Sequence, residues 1–172
     1  MTNSSAEVIH DIFANLVKSF DSVEDLNSEL AIDHSYVLEN QIIDFLANEI
    51  ALTKISQVDL KQLYFSSWDK FELLTQVTNA GSMIQLAIAA SPITENATLR
   101  EILDKQKDLL TNGTLYAQWF TQNPNCDSHI IAEAAESFID SGAMDEALHL
   151  LTLKNISKKT AMAVKEEFGD EG

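Results

Sequence analysis

Apolar residues recur at steps of three and four along almost the whole chain, and each such run is soon stopped by a cap residue, a proline or a glycine. That combination favours short amphipathic helices. The sharpest interruption is Asn123-Pro124-Asn125-Cys126-Asp127. Pro124 has no amide with which to continue a helix, and it pushes the residue before it towards extended backbone. Beyond it Ile130, Ile131, Ala134, Ala135, Phe138 and Ile139 form one apolar stripe. Gly142 stops that stripe, and Ala147, Leu148, Leu150 and Leu151 begin another at once.

The rest of the chain repeats this grammar. Val8, Ile9, Ile12, Phe13, Leu16, Val17 and Phe20 predict a first helix capped by Ser4 or Ser5. Ser22-x-x-Asp25 starts a short helix carrying Val23, Leu26 and Leu30, and Asp33-His34-Ser35 breaks it. The next carries Tyr36, Val37, Ile42, Ile43, Phe45, Leu46 and Ile50. Ser56-Gln57-Val58-Asp59 opens the most aromatic stripe, with Leu60, Leu63, Tyr64, Trp68, Phe71 and Leu74, and Ser66-Ser67 is a candidate split within it. Asn79-Ala80-Gly81 is expected to end it, with glycine in the left-handed conformation. A small-residue helix from Ser82 to Ala90 follows; Ser91-Pro92 stops it, and Thr94 is the expected cap of a helix through Leu99, Ile102, Leu103, Leu109 and Leu110. Asn112-Gly113 ends that helix, and Thr114 starts one with Leu115, Tyr116, Trp119 and Phe120. With few glycines and prolines and no long alternating β-branched run, strands are not expected.

The breaks align. Thr94, Cys126 and Ser157 each precede a helix, 32 and 31 residues apart. A period near 32 suits two short antiparallel helices with their turns, a unit that buries both faces only by stacking on copies of itself. The predicted fold is all-α: a right-handed stack of short antiparallel helical hairpins, α-solenoid-like, in one compact domain over residues 1–168. Residues 21–81 form irregular helices, 82–168 the hairpin repeats and 169–172 a polar tail.

The Asn-Pro-Asn-Cys break, with a small-residue helix before it and an apolar one behind, resembles leucine-rich-repeat-variant and HEAT-like repeats. Ala134 to Leu148, with Phe138, Gly142, Asp145-Glu146 and Ala147, looks like the inner part of a tetratricopeptide unit, without that family's Trp-Leu-Gly and final Pro. These resemblances imply a binding scaffold, with neither catalysis nor a cofactor.

Charge narrows the partner. The chain carries 27 acidic against 11 basic residues, net −16. Residues 1–50 hold ten acids and one base, Lys18; residues 51–100 hold four of each; residues 101–172 hold thirteen acids and six bases. Such a surface repels nucleic acid and anionic membranes, and the lone arginine, Arg100, leaves little to grip phosphate. One cysteine forms no internal disulfide, and a start without basic residues is unlike a secretory signal, so a reducing, cytoplasmic setting is expected. The sequons at Asn3, Asn96, Asn112 and Asn155 then read as cap and turn chemistry.

Three constellations bear on chemistry. Glu7-x-x-His10 and Glu146-x-x-His149 each put a carboxylate and an imidazole on one helix face, as in di-metal carboxylate bundles. Those bundles need long uninterrupted helices, which the caps here forbid, so surface ion pairs are the simpler reading. Cys126, Asp127 and His129 offer three metal-ligand types beside a helix start, but no Cys-x-x-Cys accompanies them, and Cys126 reads as a small cap residue. No phosphate loop or serine elbow is present.

The expectation is therefore a non-enzymatic acidic helical-repeat protein that binds a basic protein partner, as an inhibitor, adaptor or chaperone-like module. Its acidic face would carry Glu24, Asp25, Glu29, Asp33, Glu39 and Asp44, and its apolar anchors would be Tyr64, Trp68 and Phe71 or Tyr116 and Trp119. Two alternatives stand beside it: a nucleic-acid mimic blocking a DNA- or RNA-binding protein, and a carboxylate–histidine metal protein.

Overall fold

The short-helix grammar is realised throughout. The computed structural model describes residues 5–31, 35–77, 79–106, 110 and 114–169, and at 5–6, 35–37, 67–75 and 114–115 it describes the backbone alone. The order is α1 (Ser5–Val17), α2 (Val23–Ala31), α3 (Ser35–Ala51), α4 (Gln57–Thr75), α5 (Ala80–Ala90), α6 (Asn96–Lys105), α7 (Thr114–Gln122), α8 (Ser128–Ser141), α9 (Met144–Leu150) and α10 (Lys158–Val164), then a π-helical turn, Lys165–Gly169. The protein is all-α, with no strand among the described residues, and no described helix is long and apolar enough to cross a membrane.

The chain divides into two compact units, 1–93 and 94–172, where a single domain was expected. The division falls just after Ser91-Pro92. Ser91 caps α5 at φ −67°, ψ 132°, the extended conformation that a following proline imposes. The small-residue helix 82–90, expected to open the repeats, therefore belongs to the first unit.

In the first unit α5 is the centre, packing chiefly against α4 and α3. From Ala80 to Ala90 only Ser82 escapes full burial. A helix apolar all round has no face for water, and its alanines let neighbouring helices approach closely. Ile42, Ile43, Leu46, Ala47 and Ile50 of α3 and Leu60, Leu63 and Tyr64 of α4 are buried with it. The one amide in α5, Gln85, spends its Nε2 on the Tyr64 carbonyl at 2.9 Å. α1 packs on α4 and α3, and α2 on α3.

Serine caps act as expected at two starts: Ser22 Oγ accepts from Asp25 N–H at 3.0 Å, and Ser56 Oγ from Asp59 N–H at 3.1 Å. Two expectations fail in α4. Ser66-Ser67 does not split it, because the Ser66 hydroxyl turns back to the Leu63 carbonyl at 3.5 Å and is tolerated within the helix. Gly81 does not end it either; it is buried inside α5. Among the described residues between α4 and α5, Gln76 (φ 60°) and Asn79 (φ 69°) are left-handed, and asparagine takes that conformation more readily than most residues.

In the second unit α8 packs on α7 and α9, and α10 packs on α8. Gly142 stops α8 as predicted, at φ 71°. The Gly142 amide bonds to Ile139 O and the Ala143 amide to Phe138 O at 2.8 Å, the paired bonds of a Schellman motif. Asn123 Nδ2 donates to Thr94 O at 3.1 Å, and Asn155 Nδ2 to Cys126 O at 2.9 Å. Donor and acceptor both advance by 32 residues from one bond to the next, 123 to 155 and 94 to 126. The helix caps shift from the expected residues. Glu95 rather than Thr94 precedes α6, Asp127 rather than Cys126 caps α8, and Ser157 caps α10 as expected. Thr94 and Cys126 are instead buried residues whose carbonyls receive the asparagines.

Candidate protein-binding surface

The charge imbalance of the first unit is concentrated on α2 and α3. Between Asp21 and Glu49 lie eight acidic residues and no lysine or arginine; Lys18 and Lys54 are the nearest bases on either side. Glu24, Asp25 and Glu29 of α2 and Asp44 of α3 are exposed. Glu24 and Asp25 occupy the first turn of α2, where the helix dipole favours them, but Glu29 and Asp44 have no such compensation. Glu39 differs: half-buried, it accepts from Asn79 Nδ2 at 3.4 Å, just before α5. Asp33 lies outside the described residues.

Asp21, Asp25 and Glu29 line a groove of about 440 Å³ together with Phe20, Leu38 and Gln41. The acids are thus set beside apolar side chains, the mixture a desolvated contact needs.

The expected aromatic anchors are placed differently. Tyr64 is completely buried, its ring edge-on to Phe65 at 5.4 Å between centroids. Trp119 is 3% exposed, with its indole N–H buried and without a hydrogen-bond partner in the structure. Both are core residues, because each sits on the inward stripe of a two-sided helix. Tyr116 is half-buried. The side chains of Trp68 and Phe71 lie outside the described residues.

Exposed apolar side chains among the described residues include Val58 of α4, Met144 of α9 and Met162 of α10, each alone on its helix, and two at α3. Phe45 is 39% exposed, and Leu52, in the turn that closes the helix, is 80% exposed. In the sequence Phe45 is one of the apolar residues of this helix, with nothing in its type to set it apart from Ile42, Ile43 and Leu46. The available signal was spacing: Leu38, Phe45 and Leu52 are seven residues apart, on a line turned away from Ile43, Leu46 and Ile50, with Ile42 between the two.

The candidate metal residues are otherwise engaged. Cys126 is 2% exposed; burial, and then the neighbouring Asp127 charge, push its thiol up to about 12. Asp127 Oδ1 accepts from Ile130 N–H at 3.0 Å, while Oδ2 takes Arg100 Nη2 at 2.8 Å, Arg100 Nε at 3.0 Å and Asn96 Nδ2 at 3.0 Å. Partial burial works to raise the Asp127 carboxyl, but the Ile130, Arg100 and Asn96 hydrogen bonds and the Arg100 charge outweigh it and hold it below the usual range. His129 is exposed. Glu7–His10 and Glu146–His149 lie in different units, and among the described residues no three of His, Cys, Asp and Glu converge as ligands.

Comparison with protein families, curated proteins and solved structures finds no match to this chain. The functional reading therefore rests on its own residues.

Proposed function

We propose that the chain is a non-catalytic acidic helical-repeat protein that binds a basic protein partner, as an inhibitor, adaptor or chaperone-like module of a reducing compartment. The observation that carries this reading is the stretch Asp21–Glu49: eight acids, no lysine or arginine, and exposed carboxylates on α2 and α3 beside a groove with apolar walls. A field of one sign accelerates the approach of an oppositely charged protein and disfavours nucleic acid and anionic lipid. In this reading the second unit is the scaffold, a right-handed stack of helical hairpins. The Asn123–Thr94 and Asn155–Cys126 bonds, related by 32 residues, support that register. Capture of partners by the purified chain at low and high salt tests the function. A protein retained at about 50 mM NaCl and released at several hundred millimolar is expected; the absence of any salt-sensitive protein partner would refute it.

A further inference from the structure

The outward side of α3 carries more than charge. Leu38, Gln41, Phe45, Asn48 and Leu52 follow one another at steps of three, four, three and four. That is heptad spacing, with apolar residues at one of the two positions that form a coiled-coil seam and amides at the other. Gln41, Phe45, Asn48 and Leu52 are exposed and Leu38 is half-buried, while Ile43, Leu46, Ala47 and Ile50 are turned to the core and Ile42, beside Leu38, is buried with them. The helix therefore carries, beside its core stripe, a second and sparser line of apolar residues, of which Phe45 and Leu52 are exposed among the described residues. The seam spans about 21 Å at 1.5 Å per residue. At its N-terminal end Leu38 and Gln41 enter the groove lined by Asp21, Asp25 and Glu29, and Asp44 is exposed beside its middle.

We propose that this seam is the docking site for a cationic amphipathic helix of the partner, its apolar residues spaced by three and four over Phe45 and Leu52 and its lysines or arginines over the acidic groove. The proposal rests on the protein-binding reading above and names its surface and ligand class. Charge decides the occupant. A second copy of this chain would bring acids against acids, whereas a basic helix is attracted along the acidic end of the seam. Gln41 and Asn48 would favour a register placing polar residues opposite them, since an amide facing an apolar residue loses its hydrogen bonds to water.

The test uses the full chain and a synthetic helical peptide with leucines at heptad spacing and flanking lysines, followed by fluorescence anisotropy. Binding is expected to weaken roughly tenfold or more in the Phe45→Ser, Leu52→Ser double variant, as for loss of interface anchors. It is also expected to weaken about as much for a peptide of the same composition with its leucine spacing scrambled, and to fall with salt. Equal affinity for the scrambled peptide, or for the double variant, would overturn the proposal in favour of general polycation attraction. A dimer in sedimentation equilibrium that the double variant abolishes would overturn it in favour of a second copy. Circular dichroism checks folding, and if the double variant unfolds, Leu52→Ser alone, at the most exposed position, replaces it. Partner capture separates the two claims. A salt-sensitive partner held equally by wild type and double variant refutes the seam and leaves the protein-binding reading standing; no such partner for the wild type refutes that reading.

Discussion

Cys126 and Gly142 illustrate how far single residues determine their surroundings. The Cys126 thiol, buried and raised to about 12, is held protonated at neutral pH, and the thiolate is the reactive form. Its reaction with an aromatic disulfide reagent at pH 8 should therefore be slow in the folded protein and become rapid on unfolding in guanidinium; fast reaction of the native chain would contradict its burial. Gly142 sits at φ 71° with nothing within 4 Å of where a Cβ would lie, so a substitution there meets strain without a clash. Gly142→Ala should cost about 1 kcal/mol, read as a lowered denaturation midpoint with an unchanged slope. Gly142 was legible because glycine has few other reasons to stand where an apolar stripe stops. Cys126 was only half legible. Its break was located correctly, but its role as cap was assigned by alignment with Thr94 and Ser157, and spacing does not resolve which of two adjacent residues turns its side chain to the helix. Asp127, with a better acceptor, took that place.

At the scale of elements, the start of α8 is held by one carboxylate. Asp127 caps α8 and also receives Arg100 and Asn96 from α6, so truncation removes a cap and loosens a helix pair together. Asp127→Ala is expected to destabilise by about 1–2 kcal/mol from the cap alone, and Asp127→Asn, which keeps the acceptor but not the charge, by less. The pH dependence has a definite sign. A carboxyl whose folded pKa lies below its unfolded value contributes full stability above the unfolded value, and that contribution is lost as pH falls through the folded one. The difference in stability between wild type and Asp127→Asn should thus shrink below about pH 4, the ordinary aspartate range; a difference constant to pH 2 would exclude the charge as its cause. Asn123 belongs to the same joint. Fully buried, it donates to Thr94 O and accepts from Asn125 N–H at 2.8 Å, so Asn123→Ala leaves polar groups with fewer partners and should cost about 1–3 kcal/mol. Helix positions were largely readable because caps and apolar periods are local. The joints between helices were visible only as a spacing of about 32, since hydrogen bonds from asparagine to distant carbonyls leave no pattern of their own.

Over the whole molecule, charge and stability pull against each other in the first unit. Large residues look alike in a sequence whether they face inward or outward; Tyr64 and Trp119 face inward, while Phe45 and Leu52 are among the exposed apolar side chains. An outward stripe beside a core stripe makes a helix look merely hydrophobic, which is why α3 concealed it. The acids around that stripe repel one another, and Glu29 adds an unfavourable charge in the last turn of α2. Neutralising Glu29 and Asp44 as Glu29→Gln, Asp44→Asn should raise stability by a few tenths of a kcal/mol, an increase in melting temperature of about 2 °C at low salt. Since 0.5 M NaCl shortens the screening length to about 4 Å, wild type should gain midpoint with salt and the variant should gain less. If the same carboxylates attract a cationic helix, the double neutralisation should lower affinity for the lysine-flanked peptide while it raises the melting temperature. Opposite changes in the two measurements would separate carboxylates kept for binding from carboxylates kept for solubility, for which affinity would not move.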